Sequence, residues 1–183
     1  MIGFDWFRQV TAEPWRPVHP AAWAAATGFL AVVVWFATSG ERWVPILDTA
    51  NLAFHEAGHP LFGLLFGHRG AVYGGTIGQL LFPLVAAASF WRRRDTLSFA
   101  LCAAWFFQNF WNIARYMADA RAQILPLVGG GDHDWAEIFF RWGVAHRDIV
   151  IAGRVSWVAW AGILVVWAWL SMRMWRGRGE RAD

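Results

Sequence analysis

The sequence predicts an all-α fold, a polytopic membrane helix bundle with about five transmembrane helices and one short interfacial helix. Three observations carry that expectation. Hydrophobic residues make up 57% of the 183-residue chain and charged residues only 16%, where soluble domains carry about a quarter; mean hydropathy is +0.33. Five apolar stretches approach the ~20 residues that a helix needs to cross the hydrocarbon core. Tryptophan occurs 15 times, and its amphipathic ring suits the bilayer interface.

The elements follow in order, as one integral membrane domain over residues 1–183. Residues 1–20 hold Asp5, Glu13 and prolines but no long apolar run. They do not resemble a cleavable signal, so the first membrane helix is expected to act as the insertion signal. The apolar stretches cover residues 21–39, 46–67, 71–91, 96–118 and 151–172, and an Arg-rich tail occupies residues 173–183. The long polar connection, residues 121–148, holds Pro126, Gly129-Gly130-Gly131 and Asp132-His133-Asp134-Trp135. In it Trp135, Ile138, Phe139, Trp142 and Val144 mix with Glu137, Arg141 and His146, as in a helix lying at the interface. On the third stretch, Gly74 and Gly78 have the small-xxx-small spacing that lets another backbone approach, with Gln79 and Pro83 beside them.

Charge suggests an orientation. Arg92-Arg93-Arg94 separate the third and fourth stretches, and Arg173, Arg176, Arg178 and Arg181 follow the fifth. Positive loops stay cytoplasmic, so the C-terminus is expected in the cytoplasm of a bacterial-type inner (plasma) membrane. Five spans then put the N-terminus and residues 129–134 outside. The net charge of +3 comes from Arg clusters beside apolar stretches, which excludes a nucleic-acid surface. A single cysteine, Cys102, excludes a disulfide framework and a Cys-rich metal site. The expected partners are membrane lipid and a membrane-embedded peptide or lipid substrate.

The chemistry-bearing motif is His55-Glu56-Ala57-Gly58-His59. Side chains four apart rise from one helix face, the separation at which two imidazoles share a tetrahedral zinc ion. Glu56, rotated to the flank, can deprotonate water without being a ligand. Asp48, Asn51, His55 and His59 fall on one stripe of an otherwise apolar span, and ionisable groups in a membrane helix are costly and usually functional. The alternative is a buried polar network in which these groups satisfy one another and the fourth stretch. A zinc hydrolase also needs a third protein ligand. Leu65 stands where a third His six residues beyond the second would be, and His68 lies past the expected helix end. Two candidates remain. Asp119 ends a polar stripe of Gln108, Asn112, Arg115 and Tyr116, with Asn112 able to orient water or substrate; otherwise Asp119 pairs with Arg115 one turn back. His133 follows the glycine run, with Asp132 or Asp134 as a helix cap.

Phe54-His55-Glu56-Ala57-Gly58-His59 within a membrane helix resembles the site-2-protease-like intramembrane zinc metalloproteases. That resemblance implies two His ligands, a Glu base and an Asp ligand from a later membrane helix, which maps onto Asp119 after Asn112. The proline that the family carries after the Asn is absent, and Ala120 stands where the family has Gly. The segments Tyr116-Met117-Ala118-Asp119-Ala120-Arg121-Ala122-Gln123 and His133-Asp134-Trp135 are also similar to a small group of bacterial membrane proteins with no assigned activity. The function expected first is therefore a zinc-dependent membrane hydrolase, in particular an intramembrane metallopeptidase with Glu56 activating water. The competing expectations are a zinc-dependent lipid amide or ester hydrolase, and a non-enzymatic metal-binding sensor, transporter subunit or helical scaffold.

Overall fold

A computed structural model describes residues 12–40, 42–128 and 132–179. Its elements are helices joined by short turns, with no strand among the described residues. Helix α1 spans Pro20–Thr38, with proline at its first turn and the His19 imidazole accepting from the Ala21 amide (3.2 Å). Helix α2 covers Leu47–Arg92 and is broken at Gly67, whose φ of 68° and ψ of −164° lie outside helical space. Only glycine adopts that conformation without strain, and the chain reverses there. Helix α3 is Thr96–Ala118, started by the Asp95 carboxylate accepting from the Ser98 amide. Helix α4 is Asp134–Arg141, and α5 is Asp148–Gly179, entered through a 3-10 turn at Ala145–Arg147.

The two arms of α2, residues 47–66 and 68–92, run antiparallel in near contact. A Cβ on Gly58 would strike the Gly74 carbonyl, one on Gly78 would lie 2.5 Å from the Phe54 carbonyl oxygen, and Gly63 faces Ala71. Between membrane helices the hydrophobic effect supplies little attraction, so close backbone packing through small residues takes its place. The rest of the bundle follows the same rule. Ala100, Ala103 and Ala104 of α3 are buried among Leu30 and Val33 of α1 and Ala159, Ile163 and Leu170 of α5. Large apolar side chains such as Leu64, Phe66, Trp157 and Val165 point outward, as on a lipid-facing surface.

Three helices combine the length and apolarity needed to cross a membrane: α1, the α2 pair, and the 33-residue run Ala145–Gly177 containing α5. The protein is thus all-helical with three candidate spanning helices. Of the five expected stretches, two are joined through Gly67 in one element, and α3 falls short in apolarity. Its Gln108, Asn109, Asn112 and Arg115 carry polarity, and the first three turn it inward onto the neighbouring arms.

Helix direction departs from the expected alternation. The Arg16 amide donates to the Arg94 carbonyl (2.9 Å), and the Trp15 ring packs against Phe99 and Trp169. Trp23 and Trp167 donate through their indole N–H to Ser171 and Thr27, respectively. So α1 starts at the bundle end that also carries the Arg92–Arg94 turn and the C-terminal part of α5. The start of α1 and the C-terminal part of α5 are not on opposite ends. The reason lies in residues 42–46, which turn back into the bundle. Trp43 reaches Arg115 near the end of α3, yet Asp48 lies beside Gln108 in the middle of it. Two further expectations change. The apolar face of α4, Trp135, Ile138 and Phe139, is buried against Val72, Ile113 and Met117 rather than directed to lipid, and α5 continues helical to Gly179 where a tail was expected. Asp5, Arg8, Gly129, Gly130, Gly131 and Arg181 lie outside the described residues.

Candidate metal centre

His55 and His59 stand on the first arm of α2, one turn apart, facing the second arm. What admits them is Gly75. A Cβ there would lie 2.6 Å from His55 Cε1 and Nε2 and 2.8 Å from His59 Cε1. Each ring is then fixed by its Nδ1. His55 Nδ1–H donates to the Gln79 side-chain carbonyl (2.8 Å), and His59 Nδ1–H donates to the Ala71 backbone carbonyl (2.9 Å). The Gln79 amide is oriented in turn, because its Nε2 donates to Asn109 Oδ1 (3.1 Å) and Asn112 Oδ1 (3.3 Å). With both Nδ1 atoms committed as donors, each ring turns its Nε2 toward the same point. Both meet one carboxylate oxygen, Asp134 Oδ2, at 2.8 Å from His55 and 3.5 Å from His59.

Three electron-rich atoms on buried or half-buried residues thus converge, with ligand atoms within 4.8 Å of one another. A proton on Nε2 makes each contact a hydrogen bond to the carboxylate, and a metal ion in its place would take the same three atoms as ligands, so this His-His-Asp cluster could hold a metal ion. Two imidazoles and a carboxylate are an accepted donor set for a catalytic zinc with an open fourth position. Hydrogen-bonded Nδ1 atoms are the outer-shell support that metal-ligating histidines normally have.

The expected third donors lie elsewhere. Asp119 ends α3; its two carboxylate oxygens accept from the Ile124 (3.0 Å) and Leu125 (3.1 Å) amides. It does not pair with Arg115. His133 is the N-cap of α4, its Nδ1 accepting from the Ala136 amide (3.2 Å), and its Nε2 sits 3.4 Å from Asp119 Oδ2. Burial pushes the His133 imidazole below the usual histidine range. Asp119 holds the residues just after α3 and His133 caps α4, so neither enters the cluster. The cap is His133, neither Asp132 nor Asp134, and capping there places Asp134 at the first helical position, pointing inward. The Asp134 amide donates to the Tyr116 hydroxyl (3.2 Å), and the Tyr116 ring packs on His133 and His55.

Glu56 lines two cavities that meet at the cluster. One, about 310 Å³, is bounded by His59, His68, Asp132, Asp134 and Glu137; the other, about 370 Å³, by Trp43, Asn112, Arg115, Leu125 and Pro126. His55, Glu56 and Tyr116 border both. His68 is at the mouth, mostly exposed, with Nε2 3.5 Å from Glu137. Asn51 is not brought to the centre. It is fully buried one turn before His55, donating to Asp48 and Gln108 and accepting from Trp105 Nε1. That second network also satisfies Asp48, through the Val44 amide and Gln108 Nε2.

Sequence reasoning placed Asp134 as a helix cap rather than among the converging donors, and took Gln79 only as a neighbour of the glycines. The available signal was Asp134 directly before the buried Trp135: a carboxylate at a helix start must turn where the apolar face turns. Comparison of the chain with family models, with curated proteins and with solved structures returns no match, so the centre is read on its own geometry.

Proposed function

We propose that the protein is a zinc-dependent hydrolase of amide or ester bonds, working inside the membrane. The observation that supports it is the convergence of the His55 and His59 Nε2 atoms on Asp134 Oδ2, with both Nδ1 atoms bonded to carbonyls. His55, His59 and Asp134 would hold the ion, whose contribution when bound is to polarise water and lower its pKa to about 7. Glu56, beside the cluster and open to both cavities, takes the proton from the attacking water and delivers it to the leaving nitrogen or oxygen. The Tyr116 hydroxyl, which accepts from the Asp134 amide, keeps its own proton available to an oxyanion at the cavity junction. A metal-binding sensor would need the donors but not a free carboxylate lining the same space.

The test is metal analysis of the purified full chain followed by turnover. One zinc per chain is expected, lost in the double variant His55→Ala, His59→Ala and in Asp134→Ala. A chain with no stoichiometric metal, or one whose metal survives those changes, would remove the basis of the reading.

We also infer that α1, residues 68–92, α3 and α5 cross the bilayer, while residues 47–66 enter and leave from one side. The start of α1 and the C-terminal part of α5 then lie on the side that carries Arg16, Arg92, Arg93, Arg94, Arg173 and Arg176, and the metal centre lies toward the opposite face, which carries Arg69, Arg121, Arg141 and Arg147.

A further inference from the structure

Arg115 has no role in the chemistry above, yet it is the costliest residue of α3. It is half-buried, and its guanidinium lies over the Trp43 ring, 5.7 Å from the centroid. Among the described residues, no carboxylate lies within ion-pairing distance of it. Asp119, one turn on, is occupied by two loop amides and His133. Asp48 already accepts from Val44, Asn51 and Gln108. Asp48 feels the Arg115 charge only through space, and a cation with no hydrogen-bonded counter-charge within a membrane bundle is expensive and marks a ligand path. Here it lines the 370 Å³ cavity together with Glu56 and His55. The remaining walls are largely apolar: Trp43, Leu52, Leu125, Pro126, Leu127 and Val128.

We propose that this cavity binds a phosphate-bearing lipid, with Arg115 holding the phosphate and the acyl chain running along the Leu125–Val128 wall. Three features favour a lipid over a peptide. Arginine matches a phosphate with two parallel N–H donors, and one cation suits one headgroup. Beside the wall, Ile124 and Val128 are exposed at 82% and 52%, an apolar lip at the level of lipid chains. Among the described residues no strand edge exists that could pair with an extended peptide. Resting on the hydrolase reading, the acyl ester of the held lipid would be the bond cleaved. Oxygen from water adds to the acyl carbon and the acyl C–O bond breaks. The leaving alkoxide takes the proton that Glu56 removed, giving a fatty acid and a lysophospholipid.

The test compares two probes that differ only by the phosphate, 1-oleoyl-lysophosphatidic acid and 1-monooleoylglycerol, titrated onto the detergent-solubilised, metal-stripped full chain. Stripping removes any bond between phosphate and an ion. Wild type should prefer lysophosphatidate by about tenfold or more, the worth of one charged hydrogen-bonded pair. Arg115→Gln should erase that preference while binding monooleoylglycerol within about twofold of wild type. Should Arg115→Gln lose both ligands, Arg115→Lys decides: a retained partial preference supports the site and an absent one overturns it. No preference in wild type, or an unchanged one in Arg115→Gln, overturns the proposal. So does a larger Arg115-dependent preference for an apolar peptide with a free C-terminal carboxylate over its amide. Fatty-acid release from phosphatidylglycerol vesicles after zinc is restored separates the two readings. Preference without release sinks the hydrolase and leaves the anion site standing; release without preference does the reverse.

Discussion

Gly75→Ala is the sharpest probe of the metal centre, because it puts a methyl group in place of a hydrogen at the spot where both rings sit. The new Cβ would lie 2.6 Å from His55 Cε1 and Nε2 and 2.8 Å from His59 Cε1. Carbon atoms rest at about 3.5–4.0 Å, so the rings must retreat by roughly 1 Å. Neither moves freely: His55 is held by Gln79 and Asp134, His59 by the Ala71 carbonyl. A zinc ligand tolerates about ±0.2 Å. Overpacking of this kind costs about 1–3 kcal/mol, equivalent to roughly a 5- to 150-fold loss of zinc affinity. The alanine also favours helix by up to about 1 kcal/mol, so thermal stability should hold while metal binding falls. Chelator competition in detergent measures the affinity, and a melting curve on the same sample measures the fold. Gly74→Ala is the comparison, since its Cβ would meet the Gly58 carbonyl and Phe62 but neither imidazole; it should damage stability first. Wild-type zinc affinity in Gly75→Ala would refute the assignment of Gly75 as the space in which the rings sit.

Other outcomes follow from the same geometry. Glu56→Gln should keep zinc while turnover falls by about 10²- to 10⁴-fold, the usual worth of a general base; retained activity would reject Glu56 in that role. Gln79→Leu removes the acceptor for His55 Nδ1 and should weaken zinc about 10- to 100-fold, with His55 otherwise intact; chelator titration reads it directly. Asp134→Asn should lose the metal, whereas Asp119→Asn should keep it and loosen residues 119–133, seen as faster proteolysis there; the opposite pattern would restore Asp119 as the donor. Chelation of zinc held at about 1,000 times its Kd should remove roughly 4 kcal/mol of stability, visible as a lower melting temperature. Reporter fusions at the N- and C-termini should both read the same side of the membrane; opposite signals would exclude the inferred crossings.

Composition and spacing by themselves determined the all-helical, lipid-compatible class, the boundaries of the first four apolar stretches within a few residues, and His55 and His59 as a pair on one face. Each of these is local, resting on the 3.6-residue period and on the length of an apolar run. What is non-local was decided by tertiary structure. Residues 42–46 dip back beside Arg115, so helix direction cannot be counted from apolar stretches alone. The third donor is Asp134 rather than Asp119 or His133, because His133 spends its Nδ1 capping α4 and Asp119 spends both oxygens on loop amides. Those commitments are invisible in a linear chain, where Asp119, His133 and Asp134 have the same chemistry to offer. Gly75 shows the limit most plainly: in sequence it is one small residue among three, and only the approach of a second helix arm turns its missing side chain into room for two imidazoles.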